Sequence, residues 1–158
     1  MLVPALLYKD EIYRKSIEYY YSKDYFYYNG WIGASPICVS DEADGSTYQW
    51  AIVDGDKLIG YFTYTINWLS KSADSFGLIS FDKNNKIIGI DVRRKLKEII
   101  DKYHLHRIEW RMVGGNPVEK HYDKFCNRYG GKKHILRDRL TDETGKYYDD
   151  IIYEIIFD

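Results

Sequence analysis

Residues 76–103 read Phe76-Gly-Leu-Ile-Ser-Phe81-Asp-Lys-Asn-Asn-Lys86-Ile-Ile-Gly89-Ile-Asp91-Val-Arg-Arg-Lys-Leu-Lys-Glu-Ile-Ile-Asp-Lys-Tyr103, and this stretch decides the fold. A strand running from about Asp74 ends at Phe81, and a short polar loop follows. A helix then spans Lys86 to Tyr103, with Ile88, Val92, Leu96, Ile99 and Tyr103 on one face at helical spacing. Gly89 falls in its first turn. Residues 83–102 hold seven Lys or Arg against three acids, a local +4. A helix N-terminus offers unpaired N–H groups and the positive end of the dipole, which suit a phosphate. The competing reading is a basic amphipathic helix with a solvated face.

Working outward, His106–Met112 reads as a strand. Asn116 then stands as an N-cap, with Pro117 at N1 and Glu119 at N3. Val118, Tyr122, Phe125, Cys126 and Tyr129 form the apolar stripe of that helix, and Gly130-Gly131 ends it. Two strands, Lys133–Leu140 and Tyr147–Phe157, close the chain through Thr141–Gly145. Upstream, Tyr48–Val53 and Lys57–Trp68 form a hairpin over Asp54-Gly55-Asp56. Leu58, Gly60, Phe62, Tyr64, Ile66 and Trp68 are expected on one face of its second strand. Asp10 heads a helix to about Tyr21, with Tyr13, Ile17, Tyr20 and Tyr21 as its stripe. A dense aromatic stretch follows, Tyr25 to Tyr28 and Trp31, broken by Asn29-Gly30. Gly33 to Thr47 reads as loop, with a short strand at Ile37–Val39.

Composition narrows the function classes. The 158 residues carry 23 basic and 24 acidic side chains, a net charge of −1, so nothing attracts nucleic acid or an anionic membrane in bulk. With 45 % apolar and 30 % charged residues the chain has globular composition. No repeat or linker divides it, so one domain over residues 1–158 is expected. Two cysteines outside any CxxC arrangement imply a reduced, cytoplasmic setting. Met1–Leu7 is apolar but short, without a basic n-region, and reads as neither signal peptide nor span. His104 and His106 are two apart, and His121 and His134 stand alone, so no metal site is expected. The anomaly is aromatic: 6 Phe, 4 Trp and 17 Tyr make up 17 % of the chain, enough to supply a ring-lined groove as well as a core.

From residue 48 onward the order of these elements resembles the GNAT family of N-acetyltransferases. Lys86-Ile-Ile-Gly89-Ile-Asp91 is similar to that family's Q/R-x-x-G-x-G/A loop–helix motif, Leu58-Ile-Gly60-Tyr61 to its third strand, and Arg107–Met112 to its fifth. Asn116-Pro-Val-Glu-Lys-His-Tyr122, Gly130-Gly131 and Gly145–Tyr153 resemble its last helix, that helix's ending and its closing hairpin. The resemblance implies an α/β (α+β) domain: a mixed, mostly antiparallel sheet with helices on both faces. It also implies transfer of an acetyl group from acetyl-CoA to an amine. Two positions depart from the motif. Lys86 replaces Gln or Arg and keeps a cation, while Asp91 puts a Cβ and a negative charge where Gly or Ala is usual.

By the same resemblance, strands four and five splay apart, and Ile79 to Phe81 supply a backbone edge for the pantetheine arm. Lys86, Ile87, Gly89, Asp91 and Asn116 belong to the cofactor side. Tyr122 is the candidate general acid for the departing thiolate, although counting back from Gly130 puts the family tyrosine at Cys126. The family's fourth-strand carboxylate falls on Ser75, one residue from Asp74. Glu109, a charge within an apolar strand, is a base, an ion-pair partner of Arg107 or Arg111, or solvated. The aromatic run Tyr19–Trp31 lines the acceptor groove or packs on the sheet. The other function class consistent with these residues is a catalytically silent binding module of the same shape, holding a protein or small ligand.

Overall fold

A computed structural model describes residues 1–29 and 36–157. The aromatic-run break at Gly30, together with Trp31 and the loop start at Gly33, therefore lies outside the described residues. Among the described residues, β1 (Leu2–Pro4) is followed by a 3-10 turn (Ala5–Tyr8), α1 (Lys9–Tyr20) and α2 (Tyr25–Asn29). Then come β2 (Thr47–Asp54), β3 (Lys57–Asn67), β4 (Ser72–Ser80), α3 (Lys86–Tyr103) and β5 (Arg107–Val113). The chain ends with α4 (Glu119–Arg128), β6 (Lys132–Thr141) and β7 (Tyr147–Ile156). The seven strands form one sheet in the order β1-β2-β3-β4-β5-β7-β6, antiparallel throughout except for β4 beside β5. The fold class expected from the chain is the one observed.

Two apolar clusters sandwich the sheet. On one face Ile12 of α1 and Ala5 pack on Ala51, Val53, Leu58 and Tyr61. On the other, Ile88 and Ile99 of α3 and Cys126 of α4 pack on Phe62, Ile108 and Tyr153. A β-bulge between Ile52 and Val53 explains why Leu58 does not share a face with Phe62, Tyr64 and Ile66 as strict alternation predicts. Ile52 pairs with Gly60 and Val53 with Leu58, so Ile59 is an extra residue and parity flips there. Aromatic pairs then bind strand to strand. Tyr48 lies directly opposite Tyr64 and stacks on it at 5.1 Å, and Tyr64 stacks on Phe76 at 5.7 Å.

Other local expectations shift. Leu2–Pro4 pairs with β2, so the apolar start is a sheet edge strand. The buried stripe of α1 is Ile12 and Ser16, whereas Tyr13 and Tyr21 are exposed. Ser16 explains the offset: its Oγ accepts the Ile37 N–H at 3.1 Å, fixing the segment after the described gap. That segment, Ile37–Val39, is extended but joins no strand. α4 begins at Glu119 rather than at Pro117. Asn116 instead heads a preceding turn, its Oδ1 accepting the Val118 N–H at 3.2 Å, and the Glu119 carboxylate accepts the Gly115 N–H at 3.3 Å.

At the other end of α4, Gly130 adopts φ +68° and the helix stops as expected. Gly131 is needed for a different reason. A Cβ there would lie 2.4 Å from the Glu154 carbonyl and 2.7 Å from the Cys126 sulfur, so α4 and β7 meet through a glycine. Gly131→Ala is expected to cost about 1–3 kcal/mol of stability by overpacking. Urea unfolding should show a lower midpoint at unchanged slope; a wild-type midpoint would mean that the end of α4 yields freely.

Candidate functional site: the gap between β4 and β5

β4 and β5 pair at only two positions, Ser72 with Arg107 and Ala73 with Ile108. The strands then part. Thr63 pairs with Gly77 and Thr65 with Asp74, so Ser75 and Phe76 together oppose Tyr64 in a bulge, with Ser75 at φ +54°. A bulge bends its strand, and this one bends β4 at the place where its partner is lost. Between the parted strands lies a cavity of about 620 Å³, bordered by Tyr28, Asp74, Gly77, Glu109, Trp110 and Arg111 among others.

The open edge of β4 can be read from its bonding to β3. The Phe81 N–H donates to the Ile59 carbonyl at 2.8 Å, which makes that pair hydrogen-bonded. Alternation then points Ile79 toward β3 and turns the amide and carbonyl groups of Leu78 and Ser80 toward the gap. The expected edge from Ile79 to Phe81 is thus carried by their neighbours, and Ile79 is fully buried. Two further polar groups wait near this gap. The Ser80 hydroxyl and the Trp110 indole N–H are buried without a hydrogen-bond partner. Such orphans are uncommon, and a ligand that pairs with them removes their cost. Trp110 is held rigid by Tyr153, stacked at 5.0 Å and 8°, and by the edges of Tyr122 and Phe125.

Tyr122 reaches this place from α4. Its ring meets Trp110 and Tyr153 edge-on, each at 6.1 Å. Its hydroxyl has no protein hydrogen-bond partner among the described residues, and burial raises its pKa above the ordinary tyrosine value. It stays protonated at neutral pH and is free to donate. Cys126, the other register, faces elsewhere: its sulfur lies 3.5 Å from the Lys132 carbonyl and 3.8 Å from that of Glu154. Burial pushes its thiol pKa up, so it is an inert packing residue.

The two candidate carboxylates are brought together. In the register set by Ala73 and Ile108, Asp74 and Glu109 occupy the next position, where the ladder stops. Their inner neighbours Ala73 and Ile108 belong to the α3–α4 cluster, so both carboxylates face the α2 side. Glu109 accepts from Arg107 at 2.6 Å, the same guanidinium also meeting Glu154 at 3.0 Å. Asp74 accepts from the Ser75 hydroxyl at 2.7 Å. The aromatic run divides: Phe26 packs on Tyr148 at 4.9 Å, whereas Tyr28 borders the cavity, its hydroxyl 3.0 Å from where a Gly77 Cβ would sit.

A second cleft of about 420 Å³ opens at the N-terminus of α3, lined by Asp82, Asn84, Asn85, Lys86, Ile87 and Ile90. Asn85 is the cap, its Oδ1 accepting the Ile87 N–H at 3.0 Å. Lys86 is exposed and has no ion-pair partner among the described residues. Gly89 is exposed, with nothing within 4 Å of a Cβ built on it, so its backbone is open to an approaching group. Asp91 is turned away from this cleft. It is buried, 2.6 Å from the Met1 nitrogen and 3.4 Å from Arg94, so its charge is already matched. Asn116 spends its side chain on the turn before α4. Leu78, Ser80, Trp110 and Arg111 carried no signal in the sequence that set them apart from packing residues. Asn85 did carry one: it is a capping residue type just before a helix start.

No protein-family model matches the chain, and no curated protein sequence matches it. Its fold does match solved structures. Spermidine/spermine N-acetyltransferase SpeG from Vibrio cholerae superposes with a TM-score of 0.57 at 22 % identity, over 72 % of this chain and 66 % of that one. The dodecameric form of the Vibrio cholerae spermidine N-acetyltransferase gives 0.57 at 21 % identity, over 72 % and 66 %. A probable acetyltransferase gives 0.55 at 17 %, over 72 % and 63 %. The chain thus spans slightly under two thirds of the length of these proteins. The architecture is the GNAT acetyltransferase fold, as the sequence resemblance implies.

The contacts of two tyrosines give a stability contrast. Tyr122→Phe removes a hydroxyl with no protein partner and should leave the urea midpoint nearly unchanged, within about 0.5 kcal/mol. Tyr153→Phe breaks a 2.7 Å bond to Asp123 and should cost about 1 kcal/mol. Equal losses in the two variants would place the Tyr122 hydroxyl in a structural bond.

Proposed function

We propose that the chain binds acetyl-CoA and transfers its acetyl group to a primary amine. The observation that carries this reading is the unpaired β4 edge beside two buried, unpartnered donors. An extended amide-bearing arm such as pantetheine fits an edge of that kind, because it pairs with the backbone as a strand does. Leu78 and Ser80 are the backbone partners, and the Ser80 hydroxyl and the Trp110 N–H the added ones. The pyrophosphate belongs at the N-terminus of α3, where Lys86, Ile87 and Gly89 supply a cation and open amides. Ile79 and Phe81 hold that edge flat from behind through β3, and Asn116 shapes the turn into α4. Acetyl-CoA supplies an activated acyl carbon with a thiolate as leaving group.

The protein's own groups do the rest. A β4 amide N–H facing the gap polarises the thioester oxygen as charge develops on it. Tyr122 donates its proton to the departing sulfur, which a raised pKa leaves it able to do. On the α2 side, Glu109 and Asp74 hold the amine and accept the proton it sheds. Two cysteines without a disulfide, one of them exposed, suit the cytoplasm. No helix among the described residues is long and apolar enough to cross a membrane.

Thermal unfolding with and without CoA tests the reading directly. At about 100 times its Kd, CoA should stabilise the protein by about 2.7 kcal/mol. No shift at millimolar CoA would overturn it. Gly89→Ala separates phosphate binding from folding: the free protein should gain about 0.5–1 kcal/mol from the better helix former, while CoA binding weakens. Once an acceptor is known, Tyr122→Phe should lower kcat about 10²–10⁴-fold with little change in KM.

A further inference from the structure

The α2-side cavity is charged in two distinct zones. Its lining includes two carboxylates, Asp74 and Glu109, and two guanidiniums, Arg107 and Arg111. At the apex, where β4 and β5 still pair, Arg107 alone faces Asp74, Glu109 and Glu154. This end has surplus negative charge. Two residues further along the same face of β5 stands Arg111, beside the buried Asp150, which Arg139 also approaches at 3.6 Å. Two guanidiniums share one carboxylate there, and both are about half exposed, at 51 % and 56 %. That end has surplus positive charge.

We infer that the acceptor is dipolar: a primary amine carrying a carboxylate or similar anionic group, with the amine at Asp74 and Glu109 and the anion at Arg111. This deepens the reading under Proposed function and rests on its assignment of the cavity to the acceptor. The spacing follows from the strand. Residues 109 and 111 lie about 6.6–6.8 Å apart along one face. An amine and a carboxylate separated by the length of a dipeptide backbone span a similar distance. A polyamine fits this cavity poorly, because its second ammonium would meet Arg111, and like charges in juxtaposition oppose binding. Arg111 is suited to the opposite task, since its planar fork binds a carboxylate through two parallel hydrogen bonds.

The experiment compares two probes of matched length, glycylglycine and 1,5-diaminopentane, by titration calorimetry on the whole chain, alone and saturated with CoA. Glycylglycine should bind at least about tenfold tighter than the diamine, a preference worth about 1.4 kcal/mol. Arg111→Gln should abolish that preference by weakening glycylglycine alone. Arg139→Gln, at a more exposed position, should reduce it in the same direction and serves where loss of Arg111 unsettles Asp150. Equal or tighter binding of the diamine, or a preference untouched by both substitutions, would overturn the inference. Dipolar binding without thiol release from acetyl-CoA would uphold the inference and sink the transferase reading.

Discussion

The rest of the site depends on the two-residue parallel contact between β4 and β5. On one side of it β4 is bonded to β3 along nearly its whole length, and on the other β5 is paired with β7 at seven positions. The sheet is therefore two stiff halves joined at Ser72–Ala73 and Arg107–Ile108. Beyond the joint an edge of unpaired backbone faces inward, a costly arrangement in a folded protein. The Ser75 bulge fixes the direction in which β4 leaves, and α3 supplies the crossover that a parallel pair requires. Apolar packing below the gap offsets the cost: Ile108, Trp110 and Tyr153 form a continuous floor under α3 and α4.

That floor also sets the division of labour between the two sides of the sheet. Residues 108, 110 and 112 on β5 point to the apolar α4 side, and residues 107, 109 and 111 to the polar α2 side. A ligand with a long neutral arm meets rings and backbone on the first side. A charged ligand meets ions on the second. Asp150 anchors the polar side: it is 3 % exposed, and a buried carboxylate persists only when paired. Arg111 and Arg139 satisfy it while keeping their other donors in the open, so one buried charge orients two exposed ones.

Much of this was legible in the chain. The helix over Lys86–Tyr103 and its apolar face came from periodicity alone, and the hairpin turn at Asp54–Asp56 from turn chemistry. Tyr122 and the pairing of Asp74 with Glu109 were reachable as candidates, since each is a polar group at a marked position in a strand or stripe. What could not be read was anything set by register. The bulge at Ile59 leaves no trace in alternation, yet it moves Leu58 to the other face. The open-edge residues Leu78 and Ser80 differ from Ile79 and Phe81 only in which way their amides point, a property of the partner strand. Asp91 looked misplaced because its match, the Met1 nitrogen, is ninety positions away in the chain.

A shared fold carries less information about the acceptor than about the acyl donor, and the geometry gives the reason. The donor side is built from β4, α3 and α4, where backbone groups and a helix terminus do most of the work, and many sequences supply those. The acceptor side is built from α2 and from the outward residues of β5 and β7, where single side chains decide the charge. The resemblance to known acetyltransferases is clear only from residue 48 onward, so α1 and α2 lie outside it. Likeness to a spermidine acetyltransferase therefore fixes the architecture and leaves the acceptor to be decided by Asp74, Glu109 and Arg111.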